Sequence, residues 1–339
     1  MSTRIVCFGE LLLRLGAPGR QLLLQSPNLE VHCGGAEANV AVSLALFGHD
    51  AAVVSTVPEG PLGAAAVGEL RRHGVDVRHV GRRAGRMGLY YLVTGAIHRP
   101  SEVIYDRVGS AFALADPVVY EWDTLLAGAD WLHLSGVTPA LGASAAAATL
   151  QAAETATRLG VRVSFDGNYR SKLWEAWDGQ PAQRLQALLA HCDVLFASDR
   201  DIGVILGDVV QPEDPAARIA AAAARAFAAF PRLQLMASTL RTQRNVDHHA
   251  LSAVLVDRAG AVHQTTVYEV IPIVDRIGTG DAFAAGVLHG LIAGQELAHA
   301  LHFGLGAACL KHSIPGDFNR VGVGDVEAFV ADQGFHVRR

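Results

Sequence analysis

Two glycines flank Thr279 just ahead of Asp281, in the run Asp275-Arg276-Ile277-Gly278-Thr279-Gly280-Asp281-Ala282-Phe283-Ala284-Ala285-Gly286. The apolar periodicity that follows predicts a helix over Gly280–Ala293. Glycines at such a start let successive backbone N–H groups turn toward one point, and the helix dipole adds positive potential there. That geometry suits a phosphate or a developing anion. Asp281, in the first helical turn beside that point, is placed to take a proton from a hydroxyl. An ordinary helix start, with Asp281 complementing the dipole, accounts for the same residues. The local pattern leaves both readings open.

Three further segments carry residues of the right type. Gly34-Gly35-Ala36-Glu37-Ala38-Asn39 opens a helix of small residues, with a double glycine where backbone can approach a ligand and Asn39 one turn in. Asp166-Gly167-Asn168-Tyr169-Arg170 ends an apolar strand, the place where open α/β sheets bind ligands. It is also a plain turn composition. Tyr90, Tyr91, Tyr105 and Arg107 combine aromatic walls with a guanidinium able to clamp a carboxylate, or they pack on each other.

Other chemistries are disfavoured. The histidines show no H-x-x-x-H spacing, and adjacent His248 and His249 face apart on a strand, so a zinc site is not expected. Cys7, Cys33, Cys192 and Cys309 are scattered without a C-x-x-C pair, which speaks against a disulfide scaffold and for a reducing compartment. The chain has no G-x-S-x-G, no G-x-x-x-x-G-K-[ST], and no strand–G-x-G-x-x-G–helix unit.

The elements that must position these residues alternate. Strands are expected at Arg4–Phe8, Ala51–Thr56, Trp131–Ser135, Val161–Asp166, Val194–Ala197, Leu233–Ser238 and Leu251–Asp257. Helices are expected at Glu37–Phe47, Gly63–Arg72, Ala143–Leu159, Ala182–Ala190, Ala216–Ala229 and Leu297–Lys311, besides the one after Gly280. Strands apolar throughout imply a parallel sheet covered on both faces. Leu22–Cys33 and Leu89–Tyr105 interrupt the alternation and read as extended segments forming a small second sheet, a lid over one edge.

The chain has 339 residues, half of them apolar and 18% charged, with a net charge of −5. At roughly 150 residues per domain, length alone suggests about two domains. The motifs sharpen this, because Gly34–Asn39 and Gly278–Asp281 must meet at one site. One α/β domain over 1–339 with an inserted lid, from roughly 11–33 and 86–108, is the better expectation. The densest basic stretch, Arg82, Arg83 and Arg86, is too thin for nucleic acid. No run reaches the ~18 apolar residues of a membrane helix. Ile5–Gly9 is too short for a signal peptide, so a cytoplasmic location is expected.

With these segments in place, the sequence resembles the ribokinase-like (PfkB-type) carbohydrate kinases over nearly its whole length, from Gly9-Glu10 onward. Asp275–Asp281 matches the family's D-x-x-G-x-G-D, and Gly34–Asn39 its G-G-x-x-x-N. Within the family it looks most like the kinases of 2-keto-3-deoxygluconate. The resemblance implies a three-layer α/β/α sandwich with a mainly parallel central sheet and a β-sheet lid. It implies an ATP- and Mg²⁺-dependent phosphoryl transfer to the sugar's 6-hydroxyl. Asp281 would be the general base, and the backbone of Gly278, Thr279 and Gly280 the anion hole. Gly34, Gly35, Asn39, Tyr90, Tyr105, Arg107, Arg170 and Asp317 correspond to the sugar side. Asn168, Ser198, Asp201, Thr239, Arg241 and Lys311 correspond to the nucleotide side, with Lys311–Pro315 near the adenine. Asp275 would border a monovalent cation such as K⁺, and Asp201 would reach Mg²⁺ through water. A homodimer through the lid is expected.

The chain departs from the family pattern in two places. Ser198-Asp199-Arg200-Asp201 stands where N-x-x-E is common, so Asp201 is an acid one methylene shorter. Ser238-Thr239-Leu240-Arg241 stands where a T-x-G turn is common, with Arg241 in place of glycine. Kinases of a ketohexose, ribose or nucleoside, or a catalytically silent sugar-binding regulator, are the alternative readings.

Overall fold

In β1 (Arg4–Phe8), Ile5 and Cys7 join one apolar cluster, and Val6 and Phe8 join another. A strand that buries both of its faces must lie inside a sheet covered on both sides. A computed structural model describes residues 3–177, 179–209 and 212–331 and shows that arrangement. After β1 the chain forms β2 (Leu12–Gly16), β3 (Glu30–Gly34), α1 (Ala36–Leu46), β4 (Asp50–Pro58), α2 (Pro61–Arg72), β5 (Val80–Arg83), β6 (Gly88–Val93) and β7 (Glu102–Asp106). Then follow α3 (Trp122–Leu125), β8 (Trp131–Ser135), α4 (Ala143–Leu159), β9 (Arg162–Asp166), α5 (Ser171–Glu175), α6 (Pro181–Leu189), β10 (Val194–Phe196), α7 (Asp199–Leu206) and α8 (Pro215–Ala229). The last elements are β11 (Leu235–Asn245), β12 (His248–Asp257), β13 (Val262–Gln264), β14 (Tyr268–Val270), α9 (Thr279–Ile292), α10 (Leu297–Lys311) and α11 (Val323–Val330).

The central sheet runs β13-β12-β11-β10-β9-β8-β1-β4-β5, with β14 also on β12. Pairing is parallel from β11 to β5 and antiparallel at the β12 end. Helices α4, α6, α7 and α8 cover one face, and α1, α2, α9 and α10 the other. The result is the mainly parallel three-layer fold implied by the resemblance.

The lid is a separate four-stranded sheet, β3-β2-β6-β7. Cross-strand register sets His32, Arg14, Tyr90 and Tyr105 in one row. Residues paired across a ladder share a face, so Arg14, Tyr90 and Tyr105 turn together toward the central domain. Of the extended stretch expected over Leu22–Cys33, only Glu30–Gly34 is strand. Residues 17–29 form turns and bends, and Leu12–Gly16 supplies the other lid strand.

A second correction concerns Ser238–Arg241. No turn occurs there: β11 continues to Asn245, pairing Thr239 with Ala253 and Arg241 with Leu251. Without the family's glycine, that stretch has the composition of a strand, and the reversal falls at Val246-Asp247 instead. The short elements β5, β13, β14, α3, α5, α7 and α11 lie outside the sequence expectations, because runs of three to eight residues carry too few periods to read.

Helix α9 is set against α10 by glycine. A Cβ on Gly286 would lie 2.7 Å from the Cα of Gly304, and one on Gly304 2.5 Å from Val287 Cγ2. Gly286→Ala is expected to force the helices apart and to lower unfolding free energy by about 1–3 kcal/mol in a denaturant titration. Unchanged stability would contradict this contact.

Candidate active site

A cavity of about 620 Å³ opens beyond the carboxyl ends of β8 and β9, between the lid and the start of α9. Gly278 caps α9 with φ of 78°, in the left-handed region that favours glycine, and a Cβ there would lie 2.1 Å from the carbonyl oxygen of Asp317. The first intrahelical bond runs from Ala282 N to Gly278 O. The amides of Thr279, Gly280 and Asp281 therefore have no acceptor in the helix, and all three residues line the cavity.

Asp281 is held from across the chain. Asn39 Nδ2 donates to its Oδ2 at 2.6 Å, which leaves Oδ1 for another partner. Burial pushes the Asp281 carboxyl up to about 6, against the pull of the Asn39 hydrogen bond and with a further push from Asp317. Its proton affinity thus sits near neutrality, where a general base is most effective.

The lid end of the cavity is basic and aromatic. Arg107 is buried, and its Nε donates to Glu10 Oε2 at 2.5 Å. Ser110 Oγ donates to the other Glu10 oxygen. Among the described residues the Arg107 Nη groups have no protein partner, and Arg107 lines the cavity with Tyr90, Tyr105 and Arg170. Tyr90 donates its hydroxyl to Asp317 Oδ2 at 2.6 Å. Burial pushes the Asp317 carboxyl up to about 6, with Arg14 and the Tyr90 hydrogen bond pulling it down. Gly34 lies behind this layer, where a Cβ would lie 2.3 Å from Asp317 Oδ2. Gly35, at φ 145°, leaves no room for a Cβ against the Glu10 carbonyl.

The opposite end of the cavity holds Thr239, Arg241, Arg276 and His312. Asn168 and Asp166 line it near the middle, with Asn168 Nδ2 donating to Ser135 Oγ at 3.0 Å. Among the described residues the Asp166 carboxylate has no hydrogen-bond partner. Burial raises its pKa well above the carboxylate range, and Asp281 and Asp201 add to the rise.

Three expected nucleotide-side residues are not brought to the cavity wall. Ser198 and Asp201 cap α7 reciprocally: Ser198 N and Oγ donate to Asp201 Oδ2 at 2.8 and 2.7 Å. Lys311 has no exposed surface, and its Nζ donates to Ile314 O at 2.9 Å. A side chain so enclosed has no face to offer an adenine. Asp275 also lies behind the wall, bonded to Arg14 Nη2 at 2.6 Å and to the amides of Ile277 and Gly316, both at 3.0 Å.

The pattern of the pfkB family of carbohydrate kinases matches residues 2–318. The chain belongs to that family. It is 36% identical over 327 residues to a 2-dehydro-3-deoxygalactonokinase of Haloferax volcanii, covering 96% of each chain. It is 27% identical to a 2-dehydro-3-deoxygluconokinase of Bacillus subtilis, over 94% of this chain and 92% of that one. Its fold matches that of the 2-dehydro-3-deoxygluconokinase from Thermotoga maritima with a TM-score of 0.91 and 37% identity, over 97% of this chain and 99% of that one. This carbohydrate kinase therefore has the ribokinase-like fold, in a kinase family that uses ATP.

The residues present fit the phosphates of ATP, since three free amides at a helix start and Arg241 share one wall. They also fit Mg²⁺. Asp166 is unpartnered, lines the cavity and is repelled by Asp201 and Asp281, and Mg²⁺ is commonly held by one or two carboxylates together with phosphates.

Glu10, Arg14, Glu37, Asp166 and Arg276 are the residues that motif reasoning left without a role. The signals for Arg14 and Glu10 were present: a charge inside the apolar run Leu11–Leu15, and an acid just past the end of β1. Glu37 is buried under the site, accepts from Thr138 Oγ1 at 2.6 Å, and is pushed up to about 8 by burial. Glycine at position 9 makes room for it.

Asp281→Asn is expected to lower kcat by about 10²–10⁴-fold with the melting temperature retained. A near-normal kcat would remove Asp281 from the chemistry. A base at Asp281 would have to be ionised, so kcat/KM of the wild-type protein should be level above about pH 6 and fall as pH drops through it. A profile flat well below that value would contradict the assignment.

Proposed function

We propose that the protein phosphorylates 2-keto-3-deoxygluconate on its 6-hydroxyl, with ATP as donor. The observation that carries this reading is Arg107: a buried guanidinium oriented by Glu10, with its Nη groups unpartnered among the described residues and its side chain on the cavity wall. Arg170 adds a second guanidinium to the same wall. A neutral sugar needs no guanidinium, whereas a 2-keto acid has a carboxylate that pairs with one. The names of the relatives fall in the same substrate class. The similarity to a galactonokinase favours the galacto epimer as a second reading.

In this mechanism Arg107 and Arg170 hold the carboxylate, and Tyr90 and Tyr105 flank the sugar. Asp281 Oδ1 accepts the proton of the 6-hydroxyl, while Asn39 fixes Oδ2. The amides of Thr279, Gly280 and Asp281 and the backbone at Gly278 face the charge on the transferring phosphoryl group. Mg²⁺, when bound, offsets the negative charge of the phosphates. Asp201 acts on it at most through water, from its place as a helix cap. Thr239 and Arg241 face the phosphates, and closure of the lid excludes water.

The chain is read as one domain with an inserted lid, working as a homodimer. Ladder register sets Val31, Leu15, Tyr91 and Ile104 in a row on the outer lid face, and Val31 and Ile104 are 57% and 44% exposed. A second copy of that row would cover the face. A cytoplasmic setting suits the four free cysteines. No described helix is long and apolar enough to cross a membrane.

A panel of gluco and galacto 2-keto-3-deoxy acids, fructose and ribose, assayed by ADP release, tests the substrate. Arg107→Ala is expected to raise KM for the acid by roughly tenfold to a hundredfold while leaving neutral sugars unaffected. Preference for a neutral sugar, or an unchanged KM, would sink the carboxylate reading. Light scattering at micromolar concentration should return the dimer mass, and a monomer would refute the lid contact.

A further inference from the structure

We infer that Lys311 and Arg14 stand in for the monovalent cation that the family resemblance places beside Asp275, so that this kinase works without one. A potassium ion is held by carboxylate and carbonyl oxygens, and here both Asp275 oxygens and the Ile314 carbonyl already accept from protein donors. Asp275 Oδ2 accepts from Arg14 Nη2 at 2.6 Å and from Gly316 N at 3.0 Å, and Oδ1 accepts from Ile277 N at 3.0 Å. Ile314 O accepts from Lys311 Nζ at 2.9 Å. Asp317, the other carboxylate of the group, accepts from the Tyr90 hydroxyl through Oδ2, and its Oδ1 lies 3.2 Å from Arg14 Nε as an ion pair without a hydrogen bond.

The local charges also offset one another without an added ion. Arg14 pairs with both Asp275 and Asp317, and Lys311 acts on the same two carboxylates at longer range; all four groups are buried or nearly so. A further cation would meet repulsion from both and would have to displace one of them. An alkylammonium is close to potassium in charge and size, and Lys311 is enclosed completely, as a structural ion would be. Its charge acts on Asp281 in the first turn of α9, adding positive potential at that helix start. Lys311 is thus a positioning residue.

The inference rests on membership of the kinase family and not on which sugar is used. The test uses the full chain in KCl or tetramethylammonium chloride at equal ionic strength, with saturating ATP and Mg²⁺. The expected result is a kcat equal within about twofold in the two salts, whereas stimulation by K⁺ of about tenfold or more would overturn the inference. Melting temperature in the two salts is a second readout that needs no substrate, so it stands even if the sugar assignment fails. For the wild type the two values should coincide, and specific stabilisation by K⁺ would count against the inference. Lys311→Met vacates an ammonium-sized space beside Ile314 O. It should melt higher in KCl than in the tetramethylammonium salt and regain kcat with K⁺. Equal loss in both salts would mean that Lys311 only fills space. If that variant does not fold, the wild-type comparison decides alone.

Discussion

Arg14 ties the lid to the machinery. It sits on lid strand β2, and its guanidinium reaches Asp275 before α9 and Asp317 after α10. A buried guanidinium costs several kcal/mol unless it is paired, so the lid strand, the loop into α9 and the loop out of α10 must stay together. Their positions then propagate. Asp317 receives the Tyr90 hydroxyl through its side chain, and its carbonyl fixes how closely Gly278 can approach. The place of three unpaired amides is therefore decided by an ion pair that touches none of them.

A similar indirect control operates at the Arg107 end of the cavity. Glu10 neutralises Arg107 electrostatically but engages only its Nε, and so aims the guanidinium without consuming its fork. Ser110 holds Glu10 from the other side, and glycine at position 88 leaves room for the Glu10 carboxylate. Asn39 does the equivalent for Asp281, fixing one oxygen and freeing the other. In each case the ligand-facing group is restrained by a neighbour supplied from a distant segment, which is what pre-organisation of a site requires.

The central sheet was legible because its strands are largely apolar and its covering helices, α6 and α7 apart, run three turns or more. Arg4–Phe8, Trp131–Ser135, Ala143–Leu159 and Leu297–Lys311 fall where periodicity puts them. The glycine motifs identified the helix start at Gly278 because backbone amides need no particular side chain, only permissive φ. Long-range pairing was not legible. That Arg14 meets Asp275, or that Lys311 turns inward to Ile314 O, depends on how the lid docks, and nothing local in either segment encodes the partner. Ser238–Arg241 failed for a different reason. The expectation there came from a family turn whose glycine this chain lacks, and strand pairing with β12 took over.

The distribution of charge argues for order in how the site fills. Asp281 and Asp317 sit near 6, Glu37 near 8, and Asp166 well above the carboxylate range, all through burial first. A carboxyl whose folded pKa is raised favours the protonated folded state, so near neutrality these groups weigh against stability, increasingly as pH rises through their folded values. Arg14 and Lys311 relieve Asp275 and Asp317, but Asp166 has no hydrogen-bonded or ion-paired partner among the described residues. That imbalance lies on the wall between the Arg107 end and the Arg241 end. A positive charge arriving with the phosphates would relieve it, while the acid sugar proposed as substrate would add to it and would be met by Arg107 and Arg170. On the proposed reading the two ends are separately compensated, so one cavity would hold two anions within reach of the Asp281 carboxylate.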